Sequence, residues 1–162
     1  MKNILKKVLL LLLLLTFALG SCGRGVFAEH CEIGIRLPED FEKIDTDAAF
    51  DLAHSDGELV VGITRLSFDA VYESGIPATV SVREFAELYQ VSSGMKQIIY
   101  DFGDTVYYSY EIEKNGVIYE YIPTFWRTPY AYFIITFITH GASEWSADEA
   151  LKLTEGVYLI NE

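Results

Sequence analysis

The sequence predicts an α+β domain: a mostly antiparallel sheet of about six or seven strands with two main helices packed on it. Three observations carry this. Apolar and polar residues alternate over several short runs, the period of a half-buried strand. Two Ser-x-x-Glu boxes, Ser81 with Glu84 and Ser146 with Glu149, each open a stripe of apolar residues at helical spacing. Between the boxes lie the turn signal Asn115-Gly116 and the nearly unbroken apolar run 131–138.

Taken in order, Ile33, Ile35 and Leu37 alternate with Gly34 and Arg36 and form a strand, which Pro38-Glu39-Asp40 ends. Residues 50–53 and 59–68 are two strands joined by Ser55-Asp56-Gly57, a hairpin signal. Residues 69–79, with Gly75 and Pro77, read as a loop. At Ser81 the hydroxyl can accept from the Glu84 amide while Glu84 reaches back, so a helix begins there. Val82, Phe85, Ala86 and Tyr89 are its apolar face, and Gly94 stops it. Val106, Tyr108, Tyr110 and Ile112 then alternate with Tyr107, Ser109, Glu111 and Glu113 in one strand. Asn115 and Gly116 both tolerate positive φ and turn the chain back along Val117, Tyr119 and Tyr121. Trp126-Arg127-Thr128-Pro129 is read as a further turn. The run 131–138 has no polar face, so its strand is central and covered on both sides. The second box opens the last helix, with Ala147, Ala150, Leu151 and Thr154 inward, and Gly156 breaks it in favour of a short terminal strand.

The amino terminus carries an address. Lys2, Lys6 and Lys7 precede an apolar run over 8–15, and Leu19-Gly20-Ser21-Cys22 follows it. This charged, apolar, small-residue order is that of a secretory signal. The run is shorter than the roughly 20 residues a helix needs to cross about 30 Å of hydrocarbon. Cys22 directly after small residues predicts a bacterial lipoprotein: residues 1–21 are removed, and Cys22 becomes an acylated first residue. Residues 22–30 are then a lipidated tether, with Gly23-Arg24-Gly25 flexible, and 31–162 a single domain. The rival is cleavage after Ala28, at Val26-Phe27-Ala28, which releases a soluble secreted protein.

Charge and composition exclude several classes. The leader's three lysines leave nine basic residues against 24 acidic ones, a formal charge of −15 for the mature chain. Without a basic patch, nucleic acid is not the partner, and free adhesion to an anionic membrane is disfavoured. The acidity serves solubility or the recognition of a cationic partner. With Cys22 acylated, Cys31 has no second thiol to pair with; it reads as a small buried residue at the start of the first strand, the alternatives being a free reactive thiol or an intermolecular disulfide.

No motif for metal, phosphate or nucleophilic chemistry is present, so no cofactor and no catalytic residue are assigned. His30, His54 and His140 are far apart; His54 reads as an exposed turn residue and His140 as a strand end. Asp101-Phe102-Gly103 reads as a strand and turn. Asp45, Asp47 and Asp51 are spaced like weak calcium ligands but lack the glycine and final glutamate of a calcium loop. The aromatic-rich stretch 119–132 offers the candidate binding surface: Trp126, Arg127 and Tyr130, residue types that dominate binding hot spots. The competing reading has Trp126 packing a hairpin end.

The order of elements resembles the PsbP-like α/β fold, shared by many small bacterial lipoproteins. The residues that carry the likeness are Ile35-Arg36-Leu37-Pro38-Glu39-Asp40-Phe41, the helix opened at Ser81, the Tyr-rich hairpin around Asn115-Gly116, the strand Ala131-Tyr132-Phe133-Ile134-Ile135-Thr136-Phe137, and Glu149-Ala150-Leu151-Lys152. The resemblance implies an antiparallel sheet with helices on its faces and a non-enzymatic binding or assembly role. It transfers no functional residue. The expectation is a membrane-anchored, extracytoplasmic interaction module, held by the Cys22 lipid, for an unknown protein partner. The alternative is a lipoprotein that binds a small molecule or sugar by aromatic stacking.

Overall fold

The computed structural model describes residues 25–46, 49–95 and 97–160. Among the described residues, eleven strands and three short or medium α-helices form three layers. The middle layer is an antiparallel sheet of eight strands: β3 (Glu42–Ile44), β4 (Leu52–Ser55), β5 (Val60–Ser67), β6 (Tyr100–Phe102), β7 (Thr105–Tyr107), β8 (Tyr110–Lys114), β9 (Val117–Arg127) and β10 (Ala131–His140). Its order is β3-β4-β5-β10-β9-β7-β6, with β8 also paired to β9. A second sheet of three antiparallel strands, β1 (Val26–His30), β2 (Ile33–Leu37) and β11 (Val157–Leu159), has β2 in the centre.

The strand β10 behaves as its composition dictates. Between β5 and β9, its residues from Ala131 to Phe137 are all buried. Alternate residues serve alternate faces. Phe133, Ile135 and Phe137 pack with Val61, Ile63 and Ile122 against Ala28, Ile33, Ile35 and Leu37 of the small sheet. Ala150 and Leu151 of α3 (Ala147–Lys152) join that core. On the opposite face Tyr132 and Ile134 meet Phe125, Tyr108 and the helix layer. That layer is α1 (Phe68–Glu73) and α2 (Val82–Ser92), which contribute Val71, Phe85 and Ala86. Phe85 stacks on Tyr132 at 4.0 Å between ring centroids, and the Tyr132 hydroxyl donates to the Val80 carbonyl at 2.5 Å. The helix layer is therefore locked to the sheet by stacking and by a hydrogen bond just before the Ser81 cap.

Both capping boxes form, each with the serine accepting from the glutamate amide and the glutamate accepting in return. Asn115 and Gly116 adopt φ of 55° and 77°, the left-handed pair that matches strand twist in a tight hairpin.

The structure departs from the sequence reading in several places. The single sheet of six or seven strands is two sheets, of eight and three strands, and the helices lie on opposite faces of the larger. Most of α1 falls in residues 69–79; it begins at Phe68, read as the end of the preceding strand, and is capped by the Ser67 side chain. It escapes notice because its third position is Ala70, so no reciprocal box marks it. The strand expected over 106–112 is interrupted at Tyr108-Ser109, although β7 and β8 keep one common register against β9. That register places the gap opposite Pro123, which has no N–H to donate to the ladder. Folded structure also starts earlier than Cys31. Val26–His30, expected as tether, pairs with β2 over its whole length, from Val26 with Leu37 to His30 with Ile33. Arg65 of β5 donates to both carboxylate oxygens of Glu32 at 3.1 and 3.2 Å, tying the β1–β2 turn to the large sheet.

Candidate functional site

The three residues proposed as one surface separate. Trp126 and Arg127 end β9 instead of forming a turn, so they point to opposite faces. The turn comes next: the Thr128 amide donates to the Ala131 carbonyl, and the Thr128 hydroxyl accepts from the amides of Tyr130 and Ala131. Trp126 packs on the small-sheet side, where its indole N–H donates to the Thr124 hydroxyl at 3.0 Å. Arg127 crosses to the helix layer, with its guanidinium 5.4 Å from the Phe68 ring centre and 5.7 Å from that of Tyr132. Tyr130 projects alone from the turn, 66% exposed.

Trp126 is half-buried and retains a concave environment. It lines a cleft of about 350 Å³ with Phe102, Gly103, Asp104 and Thr105 of the β6–β7 turn and Thr154 and Glu155 beyond α3. Two aromatic rings, Phe102 and Trp126, and two carboxylates, Asp104 and Glu155, among its lining suit a ligand with a flat apolar face and polar groups.

A second cleft, about 440 Å³, was not visible as a unit in the sequence. Its walls are Asp40, Asp56, Glu58, Glu144, Trp145 and Glu149. The β4–β5 turn supplies Asp56, whose Oδ1 accepts from the amides of Glu58 and Leu59 at 2.9 and 2.7 Å. Its Oδ2 accepts the indole N–H of Trp145 at 2.6 Å, which fixes that ring, while Phe41 packs edge-on against it. Glu58 accepts from the Glu144 amide at 2.7 Å. Glu149 is the glutamate of the α3 capping box. Partial burial pushes the Asp56 pKa up, but the two amides and the indole outweigh it, and the net displacement is downward. The Ser146 hydroxyl and amide lower that of Glu149. Both groups are carboxylates at neutral pH, so the cleft is anionic around a held indole. Among the described residues no three His, Cys, Asp or Glu side chains are placed to share a metal ion. The only sequence signals for this site were the Asp56 turn, the second capping box and the overall charge.

The histidines and the cysteine correct two expectations. His54, read as an exposed turn residue, lies within β4 and is only 6% exposed. It pairs across the ladder with Lys43 and Val61, and its Nδ1 has no hydrogen-bond partner among the described residues. Burial is the main cause that lowers its pKa, and Lys43 adds to it. Cys31, read as buried, is exposed and free in the β1–β2 turn with φ of 53°. It is the hairpin to β1, unseen in the sequence, that puts it there. His140 ends β10 as expected and accepts from the Ala142 amide. Asp101-Phe102-Gly103 is the end of β6 and its turn. Asp45 and Asp51 are described, whereas Asp47, like Cys22, lies outside the described residues. Among those residues no helix is long and apolar enough to cross a membrane.

No family model matches the chain, and no curated protein does. A crystal structure from Bacteroides thetaiotaomicron aligns over 86% of this chain and 49% of its own, at 12% identity and a TM-score of 0.56. The chain thus spans about half the length of that protein, and the likeness is one of fold. The crystal structure of LpqN, involved in cell envelope biogenesis of Mycobacterium tuberculosis, aligns over 87% of this chain and 88% of its own, at 8% identity and a TM-score of 0.41. At that score the second likeness carries no argument about role.

Proposed function

We propose that this protein is a lipid-anchored, non-enzymatic binding module of the extracytoplasmic face, PsbP-like in architecture, which holds a cationic segment of a partner protein in the acidic cleft. The observation that carries the reading is the arrangement around Trp145: five carboxylates from three segments of the chain surround an indole fixed by Asp56. Lysine and arginine side chains meet both requirements of such a cleft, an ion-pair partner and a ring face. The charge of −15 on the mature chain adds long-range attraction for the same partner.

Anchoring at Cys22 is supported by β1. Cleavage after Ala28 removes three of the five β1 residues, including Ala28 itself, which is buried against the core. Cleavage before Cys22 leaves the strand whole. Val26 follows Cys22 by four positions, at most about 14 Å of extended chain.

The test uses an oligo-arginine peptide and the intrinsic tryptophan fluorescence of the purified lipidated protein. Binding should weaken as salt rises, because the contacts are ionic. Asp40→Asn combined with Glu144→Gln removes two charges that carry no side-chain hydrogen bond among the described residues. At up to about 1 kcal/mol for each exposed pair, affinity should fall roughly tenfold. No binding at low ionic strength, or equal binding by the double variant, overturns the proposal.

The Trp126 cleft favours a second reading, a small-molecule or sugar binder. The observation is the half-buried indole flanked by Asp104 and Glu155. A panel of neutral oligosaccharides tests it: a ligand that wild type retains and Trp126→Ala loses supports it, and the absence of any such ligand rejects it.

A further inference from the structure

The outer face of the three-stranded sheet is turned away from the core. Phe27, Glu29, Gly34, Arg36 and Tyr158 occupy it, the alternate positions to the buried Ala28, Ile33, Ile35 and Leu37. Its side chains are organised. The Tyr158 ring lies on Gly34, where an added Cβ would stand 2.5 Å from a ring carbon, so only glycine admits this packing. The Tyr158 hydroxyl donates to Glu29 at 2.6 Å. The Phe27 ring meets Tyr158 edge-on at 6.2 Å, and the Arg36 guanidinium lies 5.3 Å from the Phe27 centre. Phe27 is nonetheless 55% exposed. This leaves an open patch of two aromatic rings and a guanidinium, with the one carboxylate already satisfied by a phenol.

The position of the patch in the chain identifies what it meets. Phe27 and Arg36 are cross-strand partners at the end of the sheet where β1 begins. Cys22 precedes Val26 by four residues, within about 14 Å of it. An acyl anchor there holds this face at the membrane surface at a high effective concentration, so binding no longer has to overcome the repulsion that the domain's overall charge imposes on a free protein. Amphipathic rings with an arginine suit the boundary between headgroups and acyl chains, where the rings enter apolar surroundings and the guanidinium meets lipid phosphate.

We propose that the outer face of the three-stranded sheet, formed by Phe27, Arg36 and Tyr158, rests on the surface of the same bilayer that holds the Cys22 acyl chains. This rests on the lipoprotein reading above. It sets the orientation of the domain, with α1 and α2 on the far side of the large sheet, directed away from the membrane.

The lipidated protein carrying Phe27→Trp is reconstituted in vesicles of phosphatidylcholine with a minor fraction of phosphatidylglycerol. Bromine is placed on the acyl chains near the glycerol backbone. The wild-type protein gives the background, since Trp126 and Trp145 pack against the core and not on this face. The expected result is a blue shift of the added emission and its quenching by the brominated lipid. Adding Arg36→Glu should abolish both. Mass spectrometry of the mature protein is read in parallel. A chain without acyl groups overturns the anchor and the docking together. An acylated, vesicle-bound chain whose introduced indole is not quenched overturns the docking alone. Emission that shifts without quenching and depends on the density of protein in the vesicle reports a second copy on this face, and also overturns it. If Phe27→Trp does not fold, the amides of β1 and β11 in the wild-type protein serve instead: slower hydrogen exchange on vesicles than in detergent-free soluble protein lacking the acyl chains supports docking, and equal exchange refutes it.

Discussion

His54 makes the fold sensitive to mild acid. Its imidazole is buried in β4, its Nδ1 has no partner among the described residues, and burial with help from Lys43 holds its pKa below the ordinary 6.5. Below pH 6.5 the unfolded chain takes up a proton that the folded chain refuses. Stability therefore falls as pH drops from about 6.5 toward the folded pKa, and is fully present above 6.5. One proton limits the slope to about 1.4 kcal/mol per pH unit. The carboxylates with lowered pKa, Glu32, Glu84, Glu149 and Asp56, lose their contributions only below their ordinary values of 4.5 for the glutamates and 3.8 for the aspartate, so the window between about pH 6.5 and 5 belongs to histidine. His54→Leu should flatten that window. At about pH 7 it should also match or exceed wild type, because it removes a buried polar atom whose missing hydrogen bond costs about 1–3 kcal/mol. Urea unfolding at half-unit pH steps measures both effects, with the m-value checking that the two proteins expose similar surface. Parallel stability curves for wild type and His54→Leu across that window would refute the reasoning.

Three further outcomes follow from particular contacts. Phe85→Ala empties a site that is fully buried and stacked on Tyr132, so urea unfolding should show a loss of about 3–5 kcal/mol, and a loss under about 1 kcal/mol contradicts the packing. Trp126→Ala should cost roughly 2 kcal/mol, about half the full cost of a buried tryptophan, since the ring is half-buried and borders a cleft; calorimetry reads it as a lowered thermal midpoint. Cys22→Ser removes the thiol that lipid attachment requires, so the protein should leave the detergent-soluble membrane fraction and appear as a precursor or released form; a native protein that begins at Glu29 and is already soluble rejects the anchor.

Local signals in the sequence match the local structure. Each capping box needs only four consecutive residues, and both form. The Asn115-Gly116 turn needs two residues that accept positive φ. The run 131–138, read as a central strand covered on both faces, is one. The departures fall on residues whose environment is set by distant chain. Trp126 sits in a strand because β9 continues to pair with β10 as far as Arg127. His54 is buried because it shares a face of the sheet with Val61, on the side the small sheet covers. Cys31 is exposed because β1, with its tether-like sequence, folds back on β2.

The sequence by itself determined the acidic balance, the two helix starts and the strand alternation, because each depends on residue type and near-neighbour spacing. It also held the break opposite Pro123, though only once β9 is known to pair with β7 and β8 does a missing N–H become a missing ladder bond. Only the tertiary structure decided that Ile33–Leu37 joins a second sheet and not the first. An Ile-x-Ile-x-Leu strand specifies which of its faces is buried, but not which partner's backbone it will pair with. The acidic cleft is of the same kind. Asp40, Asp56, Glu58, Glu144 and Glu149 are ordinary solvated residues in sequence, and they surround one indole only because the β4–β5 turn and the start of α3 are brought together by the closure of the sheets.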